Sequence, residues 1–296
     1  MSRSRRFAHL WKTGGRAAVT GHALARLQAR LGISELQHRV NEMGMTASTW
    51  ALTGWVEQAT VDPAPLVSVI LPTHNRAALL SRAVASVRAQ VYPTWEIVLV
   101  DDGSTDDTPA VVEGLQAELG PDRLRSLRTS RSGGACAARN HALAAAKGSL
   151  IAYLDDDNAM HPLWLKIVAW AFAQRPDVDV VYGGIVIDDL RRLNRRDVGA
   201  LPSYHLSEFD RARLASQNLA DMGAIAHRRG LAEARFDETL REMGDWDLLI
   251  RVTREKAPLV LPAIACFYHT DSPNRLSGGP TFEADGRRVR TRAQVP

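Results

Sequence analysis

The chain has 296 residues, 45% hydrophobic and 24% charged, with a formal net charge of +4, which is ordinary for a globular protein with ample material for a core. Two cysteines, Cys136 and Cys266, exclude a disulfide framework and show no zinc-site spacing, so a reducing compartment is the simpler reading. No apolar run reaches the ~18 residues of a transmembrane helix, and the basic N-terminus lacks the apolar segment of a signal peptide; the expected location is cytoplasmic. Basic residues cluster at Arg3, Arg5 and Arg6, at Arg191, Arg192, Arg195 and Arg196, and at Arg287, Arg288, Arg290 and Arg292. The two terminal clusters read as solubilising charge rather than as nucleic-acid contacts.

In residues 1–60, Phe7, Leu10 and Trp11, then Ala23, Leu24, Leu27 and Leu31, recur at helical spacing, and a second helical segment is expected from about Ser34 to Gln58. This helical extension fits an appendage packed on the main domain. The other readings are a membrane-surface helix making peripheral contact, an oligomerisation arm building a homo-oligomer, and an acceptor-binding lid. Residues 61–66, with Pro63 and Pro65, read as a linker.

The main domain, residues 67–272, alternates strands with helices. The apolar run Val67–Pro72 predicts a buried strand, Thr73–Arg76 its exit loop, and Ala77–Gln90 a helix. Trp95–Val100 is a second strand that ends in the polar turn Asp101–Asp106; Asp106 or Asp107 then caps a helix over Pro109–Leu119. Arg123–Arg128 is a short third strand. The small residues of Ser132–Asn140 start a helix whose N-terminus can approach a backbone or an anion. Leu150–Leu154 is a strand, His161–Gln174 a helix and Asp179–Val186 a strand. Residues 189–205 read as a polar loop, Asn218–His227 as a strand, Trp246–Glu255 as a helix and Leu259–Tyr268 as a last strand; 273–296 is a polar tail. Strand–helix alternation predicts a parallel sheet with crossover helices.

Asp155, Asp156 and Asp157 follow the Leu150–Leu154 strand directly. Three adjacent carboxylates repel one another, so they need a cation or open water. Ligands bind beyond the carboxyl ends of strands in open α/β sheets, and a hard divalent ion held by one or two carboxylates and substrate phosphates would relieve the repulsion. A solvated acidic turn is the alternative.

Four stretches carry a resemblance: Val69–Arg76, Ile97–Asp106, Gly134–Asn140 and Tyr153–Asn158. In order and spacing they resemble the family 2 glycosyltransferases, inverting nucleotide-sugar transferases of the GT-A fold, over about Val67 to Tyr268. The resemblance implies an α/β GT-A fold with a mostly parallel sheet flanked by helices. It also implies a nucleoside diphosphate sugar donor, with UDP the most frequent nucleotide, an acceptor of unspecified class, and Mg²⁺ or Mn²⁺ as cofactor. Thr73 and Asn75 would touch the nucleoside, Asp102 would accept a hydrogen bond from its base, and Asp101 would be structural. Arg139 would meet base or phosphate, or pair with a strand-end Asp. Asp155 and Asp157 would be the two defining positions of an Asp-x-Asp element. They would point to one side of an extended segment, with Asp155 on ribose or a metal-bound water and Asp157 on the metal; Asp156 would turn to backbone amides. His269 is a further metal or diphosphate candidate, and the Arg191–Arg196 cluster a candidate lid over the donor, with a solvated loop as its alternative.

Met243–Arg251 resembles the family's Glu-Asp-Trp-Asp segment and places Asp245 as the general base; Gly244 stands where the family has Glu, with Glu242 two residues earlier. The helix-capping role is the alternative for Asp245. Asp247 is expected to cap or to pair with Arg251, and Trp246 to pack in the core or stack on an acceptor sugar. The competing functions are a nucleotidyltransferase, a silent nucleotide-binding scaffold and a retaining transferase. The absence of glycine from Thr73–Arg76 argues against the first, and the acidic triplet with Asp245 against the second.

Overall fold

The computed structural model describes residues 48–188, 203–270 and 281–293, with backbone alone for Asp188 and Ser203. Contacts divide the chain into residues 1–55 and 56–296. The expectations for the N-terminal helices before residue 48, for the Arg191–Arg196 lid and for residues 271–280 lie outside the described residues. Residues 48–58 form a helix, α1, as the spacing predicts, and 59–66 carry neither helix nor strand.

The elements that follow are β1 (Val67–Thr73), α2 (Ala77–Arg88), β2 (Trp95–Asp101), α3 (Thr108–Leu119), β3 (Leu124–Arg128), α4 (Ala135–Ala145), β4 (Leu150–Tyr153), β5 (Ala159–Met160), α5 (Trp164–Gln174), β6 (Val180–Asp188), β7 (Ser203–His205), β8 (Ile225–Arg228), α6 (Gly244–Val252), β9 (Leu259–His269) and α7 (Phe282–Ala293). Among the described residues one nine-stranded sheet runs β3-β2-β1-β4-β8-β6-β9-β5, with β7 on β6. β3, β2, β1 and β4 are parallel to one another. β8 lies antiparallel between β4 and β6, β9 is parallel to β6, and β5 and β7 are antiparallel to their neighbours. Six strands thus share one direction and β5, β7 and β8 oppose them: a mixed, mostly parallel sheet flanked by helices.

β1, β2 and β4 are buried along their whole length, which is why they read as near-continuous apolar runs. Two of their polar exceptions, Ser68 and Glu96, are paired. The buried Glu96 Oε1 accepts from Ser68 Oγ at 2.6 Å and from the amides of Lys147 and Gly148 at 2.7 and 3.2 Å, tying β1, β2 and the entry to β4 together. The alanine-rich α4 packs over β1 and β2 with Ala137, Ala138 and Ala142 buried.

Four expectations change. The strand expected over Asn218–His227 begins only at Ile225, because the Asp221 side chain accepts the Gly223 amide at 2.9 Å and sets a 3₁₀ turn over Met222–Ala224. The helix expected from His161 starts at Trp164, behind the two-residue strand β5 on β9. Residues 203–205, expected in a loop, pair with β6 as β7. The polar tail contains the helix α7, whose Asp285 and Val289 are buried and which packs on α6.

At the sheet's centre the buried His227 has Nδ1 2.8 Å from the Arg228 carbonyl, which can only accept, so Nδ1 carries the proton and Nε2 accepts from Tyr153 Oη at 2.7 Å. Burial pushes the His227 imidazole down to about 4. Because an unfolded histidine titrates near ~6.5, the unfolded chain binds the extra proton first, and the stability contributed by neutral His227 is complete above that pH and is lost as pH falls towards 4. Urea unfolding at pH 7 and pH 4.5 should therefore show a smaller acid-induced loss for His227→Gln than for the wild type; parallel losses would remove His227 from the pH dependence.

Candidate active site

The parallel strands β1, β2 and β4 end side by side, with Thr73 in register with Asp101 and Ile70 with Tyr153. The chain order along the sheet reverses between β1 and β4, the point at which doubly wound sheets open a crevice. A cavity of about 390 Å³ lies there, lined by Thr73–Arg76 at the end of β1, Asp102 after β2, Ser132, Gly134, Ala135, Ala138 and Arg139 around the start of α4, Asp155–Asp157 after β4, and Arg241 and Tyr268. The structure therefore brings Thr73, Asn75, Asp102, Arg139 and the acidic triplet to one place.

The triplet is compensated by two arginines on different elements. Arg139, buried on α4, donates from Nη2 to Asp155 Oδ1 at 2.6 Å and lies over the Phe236 ring at 5.5 Å. Arg76, in the loop after β1, places Nη1 2.5 Å from Asp157 Oδ2 and 3.3 Å from Asp156 Oδ1. Burial opposes the charge of each guanidinium, but the neighbouring carboxylates outweigh it and raise both above the ordinary arginine value. Asp156 also accepts from Thr73 Oγ1 at 2.7 Å. Burial pushes Asp156 up to about 7, with Asp157 and Asp155 adding to the effect while Arg76 and Thr73 oppose it. This partition corrects the expected one. The strand ends at Tyr153 and residues 156–157 form a turn, so side chains do not alternate as on an extended segment. Asp156 and Asp157 share Arg76, Asp155 faces Arg139, and Asp156 meets side chains rather than backbone amides.

Asp101 and Asp102 are both engaged by the protein's own groups. Asp101 accepts the Ser104 amide at 2.9 Å and pairs with Arg128 at 3.2 Å. Asp102 is occupied on both oxygens, taking Ser132 Oγ and the Gly134 amide at 2.7 Å each, the Gly133 amide at 3.0 Å and Thr129 Oγ1 at 3.2 Å. Burial would raise its pKa, but these four hydrogen bonds hold it below the usual carboxylate range. The next residue, Gly103, has φ +69°, and a Cβ there would meet the backbone of Arg131 and Ser132 at 2.8 Å, so only glycine allows the two loops to touch. Asn75, also left-handed at φ 52°, uses its side-chain carbonyl on the Thr105 and Asp106 amides at 2.7 and 3.3 Å. It joins the first two strand-end loops.

Asp245 lies in the first turn of α6, with left-handed Met243 (φ 59°) as N-cap residue, so it does not cap the helix. Its Oδ1 accepts the Trp246 amide and its Oδ2 the Asn218 Nδ2, each at 2.8 Å. Burial raises its pKa, Asp155 adds to that, and the Trp246 amide, Arg139 and Asn218 oppose it. The Glu242 side chain accepts from Thr281 at 2.8 Å. Gly244 has a steric reason, since a Cβ there would sit 2.8 Å from Cys136 Sγ. Asp247 pairs with Arg251 at 2.8 Å, and Trp246 is buried with Nε1 on the Leu214 carbonyl at 2.6 Å.

Sequence reasoning missed Arg76, Asn218, Arg241 and Asp221. Arg76 ends the Val69–Arg76 stretch, and the need for a cation beside the triplet is the signal that marks it. Asp221 is pushed up to about 8 by burial, with Asp155 and Asp245 adding to the effect, which places its carboxyl among the site's charges; no spacing marked it. His269 is buried, and its amide donates to Asn158 Oδ1 at 3.1 Å. Among the described residues no three His, Cys, Asp or Glu side chains converge to hold a metal by themselves. The donor set does fit a hard cation that takes one or two carboxylates and completes its shell with phosphate oxygens and water: Asp157 and Asp155 are partly exposed carboxylates at the cavity wall.

The Gly244–Cys136 contact gives a direct test. Gly244→Ala should destabilise the protein by roughly 1–3 kcal/mol through overpacking, and adding Cys136→Ala should recover most of that loss in urea unfolding. Additive losses would show that the two positions do not compete for space.

Residues 68–233 match the family described as Glycosyl transferase family 2. The chain is 30% identical over 228 residues to the Escherichia coli K12 protein WcaA, named as a glycosyl transferase of colanic acid biosynthesis, covering 72% of this chain and 78% of that one. It is 34% identical to the succinoglycan biosynthesis protein ExoO of Rhizobium meliloti, covering 64% of this chain and 56% of that one. Among solved structures, S. aureus TarS 1–349 with UDP-GlcNAc aligns at a TM-score of 0.59 and 21% identity, over 77% of this chain and 66% of that one. The mannosyltransferase PcManGT of Pyrobaculum calidifontis, with GDP-Man and Mn²⁺, aligns at 0.53 and 24%, over 78% and 65%. These likenesses show the GT-A fold. With more than half of its length inside the family span, and with its strand-end carboxylates gathered at the crevice where the sheet order reverses, the chain belongs to glycosyl transferase family 2 and is a glycosyltransferase.

Proposed function

We propose that this glycosyltransferase moves a sugar from a UDP-sugar to an acceptor hydroxyl with inversion, in a divalent-metal-dependent reaction with Asp245 as general base. The observation that carries the reading is the placement of Asp245 in the electrostatic neighbourhood of Asp155 and Arg139, with each carboxylate oxygen held by a single hydrogen-bond donor. Each oxygen keeps a lone pair for an incoming proton. The acceptor oxygen attacks the anomeric carbon, the bond from that carbon to the diphosphate oxygen breaks, Asp245 takes the acceptor proton, and the nucleoside diphosphate leaves with the electron pair. Asn218 and the Trp246 amide fix the carboxylate's orientation and oppose the rise in its pKa, which keeps more of it in the basic form.

UDP is the nucleotide of the TarS complex and GDP-mannose the donor of the PcManGT complex, so GDP is the comparator. Asp102 is the candidate contact for the base, and it would exchange one of its hydroxyl donors, Ser132 or Thr129, to make it. Thr73 and Asn75 act mainly by shaping the wall beside the nucleoside, since their side-chain oxygens already serve Asp156 and the Thr105 amide. A bound Mg²⁺ or Mn²⁺ would supply charge neutralisation for the departing diphosphate. Asp157 and Asp155 are the residues proposed to hold it, and each would then loosen its present arginine. His269 remains a candidate for the same cation or the diphosphate.

Three measurements test this. Asp245→Asn should lower transfer at least about 100-fold while binding UDP as the wild type does; full turnover would remove Asp245 from the mechanism. Asp157→Ala should abolish Mn²⁺-dependent release of UDP from a UDP-sugar, and EDTA should do the same to the wild type, whereas activity unchanged by EDTA would end the metal proposal. Anomeric analysis of the product separates inversion from retention.

A further inference from the structure

Among the described residues three arginines line the cavity, and they are not equivalent. Arg76 and Arg139 are committed to the acidic triplet. Arg241 makes no ion pair among the described residues. Its Nη1 reaches only the Gly133 carbonyl, at a long 3.4 Å, and its side chain is exposed. It lies against the first turn of α4, where a Cβ on Gly134 would come within 2.9 Å of the same nitrogen. The cavity already holds Asp102, Asp155, Asp156 and Asp157, so a nucleoside diphosphate brings more negative charge to a wall on which Arg241, unlike Arg76 and Arg139, faces no carboxylate among the described residues. A planar, permanently charged fork with uncommitted donors is suited to phosphate oxygens.

The backbone of Arg241, unlike its side chain, is fixed. Its amide donates to Asp285 Oδ2 at 2.8 Å, and the Glu242 amide donates to the same oxygen at 3.0 Å. Asp285 is buried in α7, beyond the residues matched to the family. Thr281, just before α7, donates to Glu242 at 2.8 Å. Arg292 bridges Asp237 and Asp247 at 2.5 and 3.2 Å. The C-terminal helix therefore grips the segment that carries Arg241 from both sides.

We propose that Arg241 binds the diphosphate of the nucleotide donor and that Asp285, on the C-terminal helix, is its positioning residue. This rests on the donor assignment above. Arg241 is the group that meets ligand; Asp285 acts through it by holding two consecutive amides, so that the guanidinium enters the cavity beside the α4 N-terminus.

The experiment is calorimetric titration of the full chain with UDP and with uridine, in Mn²⁺, for the wild type, Arg241→Ala, Asp285→Ala and the double variant, with GDP and dTDP run on the wild type. Arg241→Ala should weaken UDP about tenfold, as expected for one charge-assisted contact, and leave uridine unchanged. Asp285→Ala should weaken UDP comparably, and the double variant should bind no more weakly than Arg241→Ala, because the second change acts through the first. Asp285→Asn, which keeps an acceptor for the amides, should restore most of the affinity and covers the case in which Asp285→Ala does not fold. UDP binding unaffected by Arg241→Ala would overturn the proposal, and so would an equal loss for uridine, which would assign Arg241 to the nucleoside. Additive losses in the double variant would separate Asp285 from Arg241. A wild type that binds none of the three diphosphates would instead refute the donor assignment itself.

Discussion

Neutralising three consecutive carboxylates at the end of β4 is the constraint on which the rest of the site depends. Asp155 is served by Arg139 from α4, and Asp156 and Asp157 by Arg76 from the loop after β1. Each arginine comes from a different crossover, so the charge balance also fixes how the β1 loop, the β4 turn and α4 meet. Removing Arg76 would leave the buried Asp156 without its counter-ion, and breaking buried pairs of this kind costs about 3–5 kcal/mol. Asp156 is the most enclosed of the three and the one whose charge burial opposes most clearly. Its two neighbours remain partly exposed at the cavity wall.

A second layer of order comes from loops that hold one another rather than a ligand. Asn75 ties the β1 loop to the Thr105 and Asp106 amides, His74 Nδ1 donates to the Asp102 carbonyl at 2.7 Å, and Asp102 gathers the Ser132–Gly134 turn. The crevice walls are thus built from residues of the kind that also bind nucleotides. Preorganisation of this sort limits how far a loop must be ordered when a ligand binds.

The parallel half of the sheet was legible because β1, β2 and β4 are buried on both faces and read as apolar runs, and because the turn chemistry after each strand was explicit. The other half was not. β5 and β7 have two and three residues, too short for any period to show. The α7 helix escaped notice because it is held by Asp285 and arginine ion pairs rather than by an apolar stripe, with Val289 as its buried aliphatic anchor. The triplet was found but its geometry misjudged, since alternation presumes an extended backbone and the chain turns at Asp156. Gly244 was noticed as a departure from the family pattern. Only the structure shows Cys136 occupying the space beside it and Asn218 on the Asp245 carboxylate.

The packing of Cys136 against Gly244 has a further consequence. Both cysteines are buried and unpaired with each other; burial pushes the Cys136 thiol up to about 11 and raises the Cys266 thiol well above its ordinary value. Neither sulfur offers a thiolate at neutral pH, and reagents reach neither while the fold is closed. Cys136 touches the segment that carries Asp245, and Cys266 lies 2.8 Å from a Cβ placed on Gly223, beside Asp221. The protein thus carries two native chemical clocks. The rate at which each thiol is alkylated would record how often the packing around it opens, without any label being added to the chain.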